Sequence, residues 1–193
     1  MSAEISGLLR SIEERLAGMD RRVLLSTLQD GRPAAVVSSL LRSFNLKESP
    51  EIEEFFGWHN GLDPNADLKL GDIDFFPGFY PLSIEEAVAD YQSFERDPRW
   101  RSGWFPIFAN GGGDFYVIDL ALEAECPIRH FRLDEPECPI EYSSLESMLL
   151  TLSTAFDKSI ILVGGTPGYL EFDYDRFDEL AARLNPDIPW WVR

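Results

Sequence analysis

The chain has 193 residues, 45% of them hydrophobic, which suits one domain with a real core and excludes a disordered polymer. No apolar run approaches the roughly 20 residues of a membrane helix, no basic-then-apolar signal opens the chain, and two cysteines are too few for a disulfide framework, so a reduced cytoplasmic protein is expected. A net charge of −17 repels nucleic acid and anionic membranes and attracts basic partners.

Ile5, Leu8, Leu9, Ile12 and Leu16 fall on one helical face, with Glu13, Glu14 and Arg15 off it, which predicts an amphipathic helix. Arg21 to Gly31 reads either way, as helix or short strand through Leu24, Leu25 and Leu28. A second helix begins at Pro33 and carries Val36, Val37, Leu40, Leu41 and Phe44. Ser49-Pro50-Glu51 combines a cap, a first-turn proline and an acid, and opens a helix that presents Ile52, Phe55 and Phe56. Asn60-Gly61 is a left-handed exit signal and sets its end. Residues 62 to 81 have turn chemistry with room for short strands. Ser83 and Glu86 then form a capping box, with Leu82 and Ala87 as a weak staple, and the helix runs toward Phe94.

Trp104 to Leu120 is two apolar runs joined by Asn110-Gly111-Gly112-Gly113-Asp114, which predicts an antiparallel hairpin. A phosphate cradle would need a helix after the glycines, and Phe115-Tyr116-Val117-Ile118 is β-rich instead. Ile128 to Leu133 alternates as a third strand. Ser143-x-x-Glu146 predicts a second capping box, opening a helix with Leu145, Met148, Leu149, Leu152 and Phe156. A last helix from Asp173 to Leu184 closes at Asn185-Pro186. Helices, then strands, then helices read as α+β, a single domain with an N-terminal helical segment over residues 1–45 packed on a main body over 46–193.

Few residues offer chemistry. Cys126, His130 and Cys138 are the best metal candidate, but lack the closely paired ligands of a structural zinc site, so no metal and no cofactor is expected. Asp72 and Asp74 would share one face of a strand and are the best carboxylate pair, with chance spacing in an acidic chain as the plain alternative. No nucleophile elbow or zinc-protease helix occurs, and no catalytic set is assigned. Trp58 and Trp104 read as packing residues, while Trp190-Trp191 could dock on the chain itself or meet a partner. The charge is uneven: residues 1–50 hold 7 basic and 6 acidic side chains, residues 51–193 hold 10 and 28. The acidic part is either partner-facing or a solubility feature. Asp72, Asp74 and Asp114, in loops flanking the predicted sheet, are its candidate centre.

Several segments, in order, resemble the SUKH superfamily. Glu54 to Gly61 is similar to its helix ending in Asn-Gly, and Leu82-Ser83-Ile84-Glu85-Glu86-Ala87 to its Leu-Ser-x-Glu-Glu-Ala start. Trp104-Phe105-Pro106 through Gly113-Asp114-Phe115 to Asp119-Leu120 resembles its central hairpin, and Ser144 to Leu149 its late helix. The family, also called Smi/Knr-like, includes fungal regulators of cell-wall assembly and bacterial immunity proteins that neutralise toxins. The resemblance implies a curved, mainly antiparallel sheet backed by helices and a non-enzymatic protein-binding role. It makes scaffold residues of Trp58, Asn60, Gly61, Trp104, Pro106, Gly111, Gly112, Gly113 and Asp119. Joined to the charge, it gives three expectations in order: an immunity protein against a basic, nuclease-type toxin, an intracellular scaffold or regulator, and last a small metal-dependent hydrolase using Asp72, Asp74 and Asp114.

Overall fold

The computed structural model describes residues 5–69, 71–122, 126–165 and 168–192. In chain order the elements are α1 (Ile5–Gly18), α2 (Arg22–Thr27), β1 (Leu28–Asp30), α3 (Ala34–Ser43), α4 (Pro50–Trp58), β2 (His59–Leu62), β3 (Tyr80–Pro81), α5 (Ile84–Phe94), β4 (Trp104–Ala109), β5 (Phe115–Asp119), β6 (Ile128–Phe131), β7 (Ile140–Tyr142), α6 (Leu145–Asp157), β8 (Ile161–Val163), β9 (Leu170–Phe172) and α7 (Tyr174–Leu184). The architecture is α+β. Its main sheet is an antiparallel meander in the order β3-β4-β5-β6-β7, and β1–β2 and β8–β9 form separate two-stranded ribbons.

α1 buries the face its periodicity predicts, with Leu9, Ile12 and Leu16 fully inside, and packs on α4 and α6. Its side chains join the same apolar cluster as the sheet, so the N-terminal segment shares one core with the rest. The stretch that reads either way divides into α2 and β1, and β1 pairs with β2.

That pairing corrects the end of α4. The helix stops at Trp58 because His59 is already extended (φ −147°, ψ 148°) and hydrogen-bonded into the ribbon. Gly61 has the expected positive φ, +66°, but inside β2, where a Cβ would sit 2.2 Å from the Ser83 amide nitrogen. The Asn-Gly pair therefore marks a close crossing of β2 over the start of α5.

α5 has the predicted capping box: Ser83 accepts from the Glu86 amide and Glu86 accepts from the Ser83 amide. The box predicted at Ser143 and Glu146 is displaced. Ser144 is the cap, accepting from the Ser147 amide at 3.0 Å, and the earlier amides of Leu145 and Glu146 donate to Glu51 of α4. A carboxylate from another helix thus takes two first-turn donors of α6, and burial raises the pKa of Glu51 above the ordinary range.

All six residues of β4 are buried because both faces of the sheet are covered. Phe105 meets Phe56 and Tyr91, while Phe108 meets Phe55, Phe75 and Phe76. Pro106 is tolerated inside the strand because β3 pairs only with Phe108 and Ala109, leaving Pro106 at an unpaired edge on that side.

Candidate functional site

The residues expected to be scaffold make contacts that explain their types. Asn60 is 1% exposed; its Oδ1 accepts from the Ile84 amide at 2.9 Å and its Nδ2 donates to Glu85 at 2.8 Å. It thus caps α5 from 24 residues upstream. The Trp58 indole donates to Glu13 at 3.0 Å. Trp104 is buried under the Arg129 guanidinium, which lies 5.2 Å from its ring, and Arg129 Nε donates to the buried Asp119 at 2.8 Å. In the hairpin turn Asn110 Oδ1 accepts from the amides of Gly112 and Asp114. Gly111 and Gly113 have positive φ, +75° and +102°, and Gly112 does not.

The three acidic candidates do not form one group of exposed carboxylates. Asp72 and Asp74 lie in a turn, so no strand face aligns them. Asp74 is 4% exposed. Burial pushes its carboxyl above the usual range, against the pull of the Gly78 and Leu170 amides and of Arg21. Arg21 is itself buried, donates to the Gly71 and Gly168 carbonyls, and has its pKa lowered by burial against the pull of Asp74 and Asp72. Asp72 is half-buried beside Gly168. Asp114 Oδ1 accepts from the Leu133 amide at 2.8 Å and its Oδ2 from Asn110, which makes it a turn residue tied to β6. The sequence reading missed Arg21, the first of the Arg21-Arg22 pair, whose partners lie 50 and 147 residues away.

Cys126, His130 and Cys138 are not gathered into a ligand set. The Cys126 thiol, its pKa raised by burial, has Lys47, Glu51 and Ser49 around it, whereas the Cys138 thiol, raised likewise, faces Arg99 and Arg129. Among the described residues no three His, Cys, Asp or Glu side chains converge in a way that could hold a metal ion.

One concavity lies where the sheet meets the C-terminal segment. Tyr116 of β5 and His130 of β6 are register partners, which puts both side chains on one face. Glu141 of β7, 2% exposed, accepts from Tyr116 Oη at 2.9 Å, Arg132 at 3.0 Å and His130 Nδ1 at 3.1 Å. Burial and the Glu141 charge hold the Tyr116 phenol well above its ordinary pKa. A carboxylate only accepts, so Nδ1 carries the histidine proton in this arrangement. His130 Nε2 is buried without a hydrogen-bond partner, and the ring is stacked on Tyr116 (centroids 4.4 Å apart) and edge-on to Phe79 (5.4 Å). The set resembles acid–base machinery in composition, but its proton-bearing atoms are enclosed. Its effect is to fix a polar floor under an aromatic cleft, with His130 Nε2 left without a partner.

The walls come from later in the chain. Phe172, Tyr174, Phe177, Trp190 and Trp191 close a cleft of about 270 Å³ over that floor. Trp191 donates its indole N–H to the Glu141 carbonyl, and Trp190 lies 5.1 Å from the Arg132 guanidinium. The tryptophan pair thus docks on the chain itself. Alternation in β5 and β6 was the available signal for Tyr116 and His130, but Glu141 needed the β6–β7 register.

Residues 39–151 match the model of the SMI1 / KNR4 family (SUKH-1). The chain belongs to this family. It is also similar to a protein named pyruvate kinase from Encephalitozoon cuniculi (strain GB-M1), at 22% identity over 156 residues, 79% of this chain. The chain spans 35% of the length of that relative. The SUKH-1 match includes the cleft floor at Tyr116, His130, Arg132 and Glu141, whereas the walls from Phe172 to Trp191 lie beyond it. Among the described residues no helix is long and apolar enough to cross a membrane.

Proposed function

We propose that this chain is a non-enzymatic protein-binding module, a bacterial immunity protein that neutralises a basic toxin domain of nuclease type in the cytoplasm. The observation that carries this reading is membership of the SMI1 / KNR4 family, whose known roles are protein binding in immunity and regulation. The charge of −17 supports a basic partner, since an acidic inhibitor competes with phosphate for a nuclease groove and associates fast by steering. Asp72 and Asp114, both half-buried at the surface, are the acidic candidates that a partner can reach. A second reading, an intracellular scaffold or regulator, is favoured by the family model itself, which is named for SMI1 and KNR4.

The test starts from the gene next door. A toxin-bearing reading frame there supplies a domain whose activity should fall to background with one equivalent of this chain. Its association rate should drop as salt rises from about 50 to 500 mM, because screening shortens the Debye length. Asp72→Asn, which removes the charge without setting a second cation beside buried Arg21, should slow association further while leaving the circular dichroism spectrum unchanged. Full toxin activity at saturating chain would sink the immunity reading and leave the regulator.

A further inference from the structure

We propose that the aromatic cleft, together with the β8–β9 ribbon beside it, seats an aromatic side chain of a protein partner flanked by lysine or arginine. The inference rests on the partner-binding reading above and gives that partner a chemistry.

Three observations carry it. The first is the cleft. Its volume of about 270 Å³ lies just under the roughly 300–1,000 Å³ of cavities that hold drug-sized ligands, and so suits one large side chain. Its walls are aromatic, and aromatic guests gain from edge-to-face contacts beyond their buried area. The charges on its floor are already matched, Glu141 by Tyr116, His130 and Arg132, so the floor asks for an uncharged guest.

The second is the surface around it. Leu162 and Val163 of β8 are 45% and 53% exposed, Tyr169 is 38% exposed, and Tyr174, on the rim, is 71% exposed. Leu162 and Val163 point to opposite faces of the ribbon, and the Phe172 ring, which lines the cleft, meets Tyr174 at 6.0 Å. Exposed Tyr174 beside the Phe172 ring extends the aromatic wall of the cleft out to solvent.

The third is charge. Residues 171–179 hold five acidic side chains against one basic, Arg176, which is held by Asp173 and two backbone carbonyls. Asp72 lies against Gly168 at the far end of the ribbon. Of these, Asp178 lines the cleft, and an apolar anchor point in an acidic stretch is complementary to an aromatic residue in a basic surface, with the buried ring supplying affinity and the charge steering the encounter.

The experiment uses three capped peptides, Lys-Tyr-Lys, Lys-Ala-Lys and Glu-Tyr-Glu, titrated into the full chain with amide and indole resonances followed by NMR. Lys-Tyr-Lys should bind about tenfold or more tightly than Lys-Ala-Lys, as burial of one aromatic ring implies, and more tightly than Glu-Tyr-Glu, which the acidic stretch repels; equal binding of Glu-Tyr-Glu would overturn the basic flank. Its shifts should centre on the Trp190 and Trp191 indoles and the first turn of α7. Tyr174→Ala and Asp178→Lys, both at exposed positions, should each weaken it several-fold with the spectrum of the free protein otherwise kept. Equal binding of Lys-Ala-Lys, or shifts centred away from α7 and the cleft, would overturn the proposal. The same two variants separate it from the immunity reading. If the wild-type chain blocks the toxin and both variants block it with unchanged affinity, the cleft proposal fails alone. If the wild-type chain does not block it, the immunity reading fails, and the peptide titration decides the cleft by itself.

Discussion

Replacing Asn60 by alanine should cost far more than a surface asparagine would. In the native state its Oδ1 takes the Ile84 amide, one of the first-turn donors of α5 that no intrahelical carbonyl can reach. The bond is buried, so its loss strands a donor without water, at about 1–3 kcal/mol. The Nδ2 bond to Glu85 is partly exposed and adds roughly 0.5–1 kcal/mol. The sum, about 2–4 kcal/mol, is a large part of the roughly 5–15 kcal/mol that holds a domain together. With a urea slope of about 2–3 kcal/mol per molar, the unfolding midpoint should fall by about 1 M. Asn60→Asp is the informative companion. It keeps an acceptor for Ile84 but sets a second carboxylate against Glu85, so it should be weak at neutral pH and recover as acid protonates the pair. A midpoint for Asn60→Ala within about 0.2 M of wild type, well inside a loss of 1 kcal/mol, would refute the capping argument.

The hairpin turn separates glycines by conformation: Gly113→Ala forces a Cβ at φ +102° and 2.9 Å from Leu133, and should cost about 1–3 kcal/mol, while Gly112→Ala, at an ordinary φ, should cost much less by the same denaturant assay. Burial beside Glu86 raises the pKa of Asp90 from 3.8 to about 6, so the folded state holds its proton more tightly than the unfolded chain and stability falls as pH climbs through that interval. Asp90→Asn should therefore stabilise the protein at pH 7.5 by about 1 kcal/mol, discounted for partial exposure, and by nothing near pH 3.5; equal gains at both would remove the assignment. His59 has its pKa raised by its hydrogen bond to Glu13, against burial. Burial opposes the Glu13 charge, yet its bonds to His59 and Trp58 hold its pKa below the ordinary 4.5. The His59 contribution is complete below pH 6.5 and fades as pH rises through the raised value, whereas the Glu13 contribution fades in acid below 4.5. Thermal midpoints across pH 6 to 9 should show a small decline that Glu13→Gln abolishes.

The sequence by itself determined most of the elements and the family. Its 3.6-residue and two-residue periodicities are local consequences of which side chains must leave water, so α1, α5, α7 and the β4–β5 hairpin are legible without the fold. The capping box at Ser83 and the positive φ at Gly61 are equally local, since both depend on a few adjacent dihedrals. What depends on pairing at a distance is not legible. The end of α4 is set by β1 reaching back to His59, and α6 is capped by Ser144 with two first-turn amides going to Glu51 of another helix, so a correct local signal at Asn60-Gly61 and a plausible one at Ser143 both misplace a boundary. Asp72 and Asp74 look like a free acidic pair until Arg21, brought from the first helices, is buried against them. The cleft is the extreme case. Tyr116, His130, Arg132 and Glu141 come from three strands, and the rings over them from a segment up to 75 residues further on. His130 and Trp190-Trp191 stand out in the sequence, whereas Tyr116, Arg132 and Glu141 do not, and nothing local joins them. Only the register of β5, β6 and β7 and the return of the tryptophan tail over the sheet place a buried carboxylate, its three donors and an aromatic wall in one site.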